Sequence, residues 1–444
     1  MKARTSEAER SAKDIAREIF LYTLAAIDVP AALARHLDRS GATILCAGRR
    51  FDLNDYRRVA AFAFGKASHS MAEALTSIIA PDFPPTGILV APAQPAREIP
   101  GWRTFVAGHP VPDENSFAAG RAILDALAGC DEKTLVIFLI SGGGSALVEC
   151  PLDSHLTLAD FQQLHSLLVS CGASIEEINI VRKHLSATKG GRLAGAAPRS
   201  VKLTFAISDV PEGQESALAS GPTLPDPSTV AEAERILQNY ALTKRLSPPL
   251  AAIIAEHHLR ETPKENDPSF ANAHFELVLR PHDLRHSAHH FCEAAGYVCV
   301  CDDSTDDWPV EKAARHLLDE LSTAQKMNPG RRAAVVAIGE LSSPVTGNGV
   351  GGRNSAFVLS CVEKIAGENI TVLSAGTDGI DGNCPAAGAV ADGQTLSRAR
   401  TMGLDPGEHF RRSDAYTFFS RLGDPIVTGP TGNNLRDLRI LLAG

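Results

Sequence analysis

Long apolar runs are missing from this 444-residue sequence. The longest clean one, Thr134–Ile140 (TLVIFLI), is far short of the roughly 20 residues a spanning helix needs. A basic excess is missing too. Lys and Arg number 43 against 52 Asp and Glu, and the net charge of −9 argues against general binding to nucleic acid or an anionic membrane. It leaves room for a local basic pocket. Nine cysteines scatter without CxxC spacing, which fits a reducing compartment. Cys299 and Cys301 form a CxC inside an expected strand, where an apolar face explains them better than zinc does. His282, His286, His289 and His290 have helical ligand-like spacing but no evident carboxylate partner, so no metal is expected there. GxxxxGK[ST] occurs nowhere, and Ser145 lacks the trailing glycine of a serine-hydrolase GxSxG. The N-terminus is Ser- and charge-rich, unlike a signal peptide, and residues 8–37 read as an amphipathic helix broken at Pro30. The expectation is a soluble, cytoplasmic protein.

What the chain does have is glycine placed after strands. At 44% hydrophobic and 21% charged it has a globular composition, and its length exceeds one ordinary core, so two domains are expected. Arg58–Phe64 (RVAAFAF) reads as a strand ending on Gly65 and Lys66, with a helix from Ser68. Thr134–Ile140 reads as a central parallel strand that opens into Ser141, Gly142, Gly143, Gly144 and Ser145, a loop of exposed amides and hydroxyls suited to an anion. His109, in a loop stiffened by Pro110 and Pro112, suits either substrate binding or a backbone hydrogen bond, and Asp113, Asn115 or Ser116 caps the helix that Gly129 ends. Residues 178–194 collect Arg182, Lys183, His184, Lys189 and Arg192 on one helix and its glycine-marked end, either a phosphate-facing set or a solvated face. Residues 202–207 form a strand that puts Asp209 at its end, where a carboxylate can hold Mg²⁺ or accept a proton.

Residues 260–272 (RETPKENDPSFAN) are the most polar stretch and read as a linker, giving an N-terminal domain 1–259 and a C-terminal domain 273–444. In the second domain Ala333–Ile338 (AAVVAI) feeds a loop holding Gly347, Gly349, Gly351 and Gly352, then Arg353 and a helix opening at Asn354. Strand, glycine loop and helix N-terminus make an anion site, and Arg353 adds a fork suited to phosphoryl or carboxylate oxygens. Asp378 and Asp381 in TDGIDG follow the next strand. Two α/β domains whose strand ends carry glycine loops, Lys66, Arg353, Asp209 and Asp378 suit phosphoryl transfer, which depends on positioning and charge stabilisation.

The sequence resembles the class II glycerate kinases, the glycerate 2-kinase family with a MOFRL domain, over nearly its whole length. The resemblance rests on GKAS (65–68), HPVPDENS (109–116), SGGGSAL (141–147) and INIVRKHLSATKGGRLA (178–194). It continues through SDVPEG…ASGPTLPD (208–226), GNGVGGRNSAF (347–357), GTDGIDG (376–382) and GPTGNN (429–434). It implies an N-terminal Rossmann-like three-layer sandwich, a C-terminal MOFRL α/β domain and an active site in the cleft between them. It implies phosphorylation of D-glycerate by ATP with Mg²⁺, most readily to 2-phosphoglycerate, by a monomer or homodimer. Carried over by position, Lys66 and Arg353 are catalytic, with Asp209 and Asp378 as supporting acids and candidate metal ligands. Substrate and nucleotide contacts fall on Ser141–Ser145, Arg182, Lys189, the four loop glycines and Asn354. The chain departs from the family pattern at 212–216 (EGQES), Ser413 and Asn433.

The alternative is an NAD(P)-dependent hydroxypyruvate reductase. Gly347, Gly349 and Gly352 satisfy GxGxxG, and Asp378 lies where a ribose-binding acid would. Against it, the dinucleotide fingerprint starts directly after its strand, whereas residues 339–346 intervene here.

Overall fold

The structure is a computed structural model that describes residues 10–37, 39–80, 82–95, 97–210 and 213–444. Ala8 and Glu9 of the expected first helix, and Pro211 and Glu212 of SDVPEG, lie outside the described residues. No helix among the described residues is long and apolar enough to cross a membrane. The chain forms two compact units: Val29–Arg280, and Pro281–Gly444 together with the chain up to Asp28.

The expected opening helix is two. Helix α1 (Ala12–Ala26) starts at Ser11, whose hydroxyl accepts the Asp14 amide, and buries Ala16, Ile19, Phe20 and Thr23 along one stripe. It belongs to the C-terminal unit, where Lys13 Nζ sits 2.8 Å from the buried Asp424 and the Tyr22 ring lies 5.6 Å from Phe291. A second helix, Val29–His36, starts at the break near Pro30 and belongs to the other unit.

In Val29–Arg280 the strands are β1 (Arg58–Phe64), β2 (Thr86–Ala91), β3 (Trp102–Val106), β4 (Thr134–Ile140), β5 (Val201–Ile207) and β6 (Ala273–Leu279). They form one parallel sheet in the order β3-β2-β1-β4-β5-β6. This is the doubly wound Rossmann order, reversing between β1 and β4. Helices α2 (Ser68–Ile79) and α3 (Glu114–Ala128) follow β1 and β3, and α3 is closed by an Asp113–Ser116 capping box and ends at Gly129. Every residue of β4 is buried, with the Phe138 ring tilted against Phe62 at 5.6 Å.

The domain boundary differs from the sequence reading. β6 is the sixth strand of this first sheet, paired in parallel with β5, so the unit runs past 272. The 260–272 stretch is polar yet ordered. Thr262 and Ser269 are buried, Asp226 donates its amide to Pro263 O, and Asp267 caps a 3-10 turn at Pro268–Phe270. Polarity there supplies hydrogen bonds within the unit.

Lys202 on β5 is 1% exposed, and Nζ donates to the carbonyls of Ala197 (2.9 Å) and Ser200 (3.0 Å). Burial lowers its pKa from 10.5 to about 8. Between those values the unfolded chain holds the extra proton, so this group makes folding more favourable as pH rises. The stability of the protein minus that of Lys202→Met should therefore climb by about 3 kcal/mol from pH 8 to 10.5, read from urea unfolding. A flat difference would mean the ammonium keeps its solvation.

In the other unit, helix α4 (Pro281–Ala294) precedes β7 (Val298–Cys301). Then come β8 (Ala333–Ile338), helix α5 (Arg353–Cys361), β9 (Ile370–Gly376), β10 (Gly388–Asp392), β11 (Pro425–Ile426) and β12 (Asp437–Ala443). The sheet order is β7-β8-β12-β9-β10-β11. Its last strand, β12, lies between β8 and β9 and runs antiparallel to both. The amino end of β12 therefore meets the carboxyl ends of β8 and β9.

Candidate active site

Rossmann-order sheets bind ligands where the strand order reverses. Here that point lies between β1 and β4, and their carboxyl ends carry Gly65–Lys66 and Ser141–Ser145. The two loops are locked together. Lys66 N donates to Gly142 O at 2.9 Å, Ser141 N to Phe64 O at 3.1 Å, and the Ala67 amide to Ser141 Oγ at 2.9 Å. A Cβ on Gly65, at φ +124°, would lie 2.2 Å from Ser141 Oγ, so only glycine allows this approach.

Among the described residues, the amides of Gly142 and Gly143 have no acceptor in the chain. Gly143 is left-handed at φ +84°, and a Cβ there would stand 3.0 Å from His109 Cδ2 and 3.5 Å from Lys66 Cγ. Lys66, His109 and Gly143 thus share one wall. Partial burial, then the charge of Lys66, push the His109 pKa down, which keeps its imidazole neutral near pH 7. His109, weighed evenly in the sequence, belongs to this site.

Arg182 and Lys189 support the loop from behind. Lys189, 1% exposed, donates to the carbonyls of Ser145 (2.8 Å) and Val148 (3.2 Å) and pairs with the buried Glu149 at 2.9 Å. Burial, with Arg182 adding to it, lowers its pKa to about 8 against the pull of Glu149. Arg182 Nη2 donates to Ser145 O at 3.1 Å. Neither is a solvated cation, and the helix here, Ile175–Lys183, ends well before Lys189. Gly190 and Gly191 are left-handed and hydrogen-bond Ser220 O and Gly221 O. Ser145 Oγ meets Ser220 Oγ at 2.7 Å, and Ser220 Oγ donates to Asn179 at 3.0 Å. Asp209 follows β5 and is half-buried.

The glycine loop before α5 differs from expectation. Four successive amides, from Gly349 to Gly352, are already taken. Gly349 N donates to Arg412 O (3.0 Å), Val350 N to Asp414 Oδ1 (3.0 Å), Gly351 N to Asn383 Oδ1 (2.9 Å) and Gly352 N to Ser355 Oγ (3.2 Å). The helix N-terminus is filled by Asp381, which accepts the amides of Asn354 (2.9 Å) and Ser355 (2.8 Å) and the Ser355 hydroxyl (2.6 Å). Gly349, Gly351, Gly352 and Asn354 therefore offer no amide to a ligand, and Gly347 is packed against Arg412. The glycines let the chain pack on itself: a Cβ would lie 2.5 Å from Arg412 O at Gly347 and 2.3 Å from Asp381 Oδ1 at Gly352. An internal carboxylate holds the position expected for a ligand's anion. Burial pushes the Asp381 pKa up against these three donors. Asp381→Ala leaves two buried amides without an acceptor and the Ser355 hydroxyl only its longer bond to Gly352 O, and should cost about 3 kcal/mol of stability in urea unfolding. A loss well under 1 kcal/mol would show that water reaches them.

Arg353, the first residue of α5, projects toward the amino end of β12. Its Nε donates to Asp437 Oδ2 at 2.5 Å, Nη2 reaches Oδ1 at 3.4 Å, and Nη1 lies 2.9 Å from Glu340. Burial alone would lower its pKa, but Asp437 and Glu340 outweigh burial and raise it. Three of five N–H donors are engaged, which leaves one on each Nη for two oxygens of a ligand. Arg436 pairs with Asp306 at 2.7 Å beside this group. Arg439 is fully buried, donates to Gly339 O at 3.1 Å, and burial lowers its pKa to about 10. Arg353 also lines a cavity of about 450 Å³ walled by Val310, Pro344, Val345, Phe410 and Ala415. Asp378 follows β9, half-buried, and its Oδ1 accepts the Ile380 amide at 3.0 Å.

Sequence reading missed Asp437. It sits in RDLRILLA, one residue ahead of the expected strand, and its importance depends on β12 running backwards between β8 and β9. The unusual Ser413 and Asn433 have local duties. Ser413, at φ +54°, accepts the Thr346 amide at 3.0 Å, and Asn433 Nδ2 donates to Ile27 O at 2.7 Å, behind α1.

A Rossmann-order sheet with open amides and a lysine at its switch point, in one chain with a mixed sheet presenting a braced arginine, defines a two-unit α/β protein. Comparison with known proteins takes this further. The family described as Domain of unknown function (DUF4147) matches residues 15–255, and the MOFRL family matches residues 333–437. The D-glycerate 2-kinase of Thermotoga maritima is 35% identical over 86% of this chain and 90% of its own. The glycerate 2-kinase of Pyrococcus horikoshii is 32% identical over 90% of each. The crystal structure of a Thermotoga maritima glycerate kinase matches with a TM-score of 0.83 at 33% identity, over 97% of this chain and 99% of that one. This chain belongs to that family, the class II glycerate kinases with a MOFRL domain.

Proposed function

We propose that the protein is a glycerate 2-kinase, transferring the γ-phosphoryl group of ATP to the 2-hydroxyl of D-glycerate to give 2-phospho-D-glycerate and ADP. The observation that carries this reading is the switch-point cradle: two amides without a chain acceptor beside Lys66 and a neutral His109, in a chain 35% identical to a D-glycerate 2-kinase. Phosphoryl transfer asks the protein chiefly to position oxygens and to match charge that builds up on them.

In this reading Lys66 and the loop amides bind phosphate or the glycerate carboxylate. The two remaining Nη–H donors of Arg353 receive oxygens of the transferred group, while Asp437 and Glu340 fix the guanidinium plane. The cavity beside Arg353 has the size and apolar wall for a nucleoside. Asp209 and Asp378, one in each unit, are oxygen donors of the kind Mg²⁺ takes, and a single carboxylate suffices when substrate phosphates complete the shell. Bound at one of them with ATP, Mg²⁺ would offset phosphate charge. One of the same two acids takes the proton from the 2-hydroxyl.

The reductase alternative loses support, because two of the three GxGxxG amides, those of Gly349 and Gly352, are engaged within the chain. The deciding assay gives the purified protein ATP, Mg²⁺ and D-glycerate and assigns the product by phosphorus NMR. A parallel reaction supplies hydroxypyruvate and NADH. ATP-dependent 2-phosphoglycerate is expected; NADH oxidation without it would overturn the reading.

A further inference from the structure

The sequence alone gave no reason to pair the CxC of β7 with the histidines of α4, yet the fold brings them together. Strand β7 is the edge of its sheet and α4 packs beside it, both in the C-terminal unit. Cys299 and Cys301, two apart on a strand, share a face. One ligand atom from each of His289, Cys299 and Cys301 lies within 4.8 Å of the others, and His289 Nδ1 is 3.4 Å from Cys301 Sγ. The other ring nitrogen of His289 faces Glu293 at 3.5 Å, the carboxylate that the sequence reading did not find.

We propose that His289, Cys299 and Cys301 form a binding site for one thiophilic divalent cation, zinc, that fastens the edge strand β7 to helix α4. Zinc bonds of about 2.3 Å to sulfur and 2.0 Å to nitrogen put tetrahedral ligands roughly 3.5–3.8 Å apart. The three atoms already approach that spacing, so closure needs shifts of about an ångström or less. Glu293 on the outer nitrogen is the partner that orients a metal-bound imidazole. Cys301 is exposed, so a water can take the fourth position. Binding replaces the two thiol protons, which pass to solvent, with two zinc–sulfur bonds; no electrons are transferred. An edge strand with unpaired backbone on one side is where such a fastening gains most.

The test uses the full-length reduced protein under anaerobic conditions with cobalt(II) as probe. A single tetrahedral site should appear as intense visible d–d bands with a near-ultraviolet thiolate-to-cobalt charge-transfer band, all removed by zinc. Cys301→Ser and His289→Gln, at surface positions, should each weaken binding by about 10-fold or more, and Glu293→Gln by about 10-fold. Zinc should also slow alkylation of Cys301 in the unaltered protein, which needs no variant to fold. No charge-transfer band, the same bands in both ligand variants, or an alkylation rate indifferent to zinc would each overturn the site.

Discussion

Arg353→Ala is expected to lower kcat by about 10³-fold, with a smaller change in KM for glycerate. The guanidinium is braced by Asp437 and Glu340, so its two remaining donors hold a fixed direction before substrate arrives. Prepositioned charge of this kind acts on the transition state more than on the ground state. Arg353→Lys should recover little, because one ammonium cannot grip Asp437 from the side and also present two parallel donors. Steady-state kinetics decide the matter, with thermal unfolding as the control. Removing Arg353 leaves Asp437, 5% exposed, without its partner, so some stability is lost as well. Turnover near that of the unaltered protein would remove Arg353 from the chemistry.

Lys66→Met should reduce kcat/KM by about 10²–10³-fold, since a charged donor at the switch point is replaced by a stem of similar length. A second readout separates this from a packing defect. The charge of Lys66 is one of the two causes that depress the His109 pKa. Without it, the His109 proton resonances should titrate at higher pH in NMR, the remaining depression coming from burial. Loss of activity with an unmoved His109 titration would place Lys66 away from that imidazole in solution.

Strands β1, β4, β8 and β9 were legible from apolar runs, and the ends of α3 from Asp113 and Gly129, because these signals are local. The SGGGS loop was legible as a strand-end glycine turn for the same reason: strand, glycines and hydroxyls are contiguous. The second glycine loop deceived because its occupants come from elsewhere in the chain. Asp381, Asn383, Arg412 and Asp414 lie 26 to 64 residues from the amides they accept. Glycine content reports that something approaches the backbone, not whether it is a ligand or the protein itself. Lys189 misled differently. A run of cations normally means solvent, and only the buried Glu149, 40 positions earlier, turns this one inward. The antiparallel seating of β12 left no pattern in its own residues, so Asp437 stayed hidden.

That seating also governs the order of assembly. Residues 29–280 form a continuous unit that can close while the rest is still being synthesised. The second unit cannot, because the strand at the middle of its sheet follows all its others in the chain, and α1 packs on β9, β10 and this strand as well as on α4, so its docking is complete only when they exist. Until Asp437–Ala443 leaves the ribosome, β8 and β9 expose open backbone toward each other, which is the interval when a holdase chaperone has most to protect.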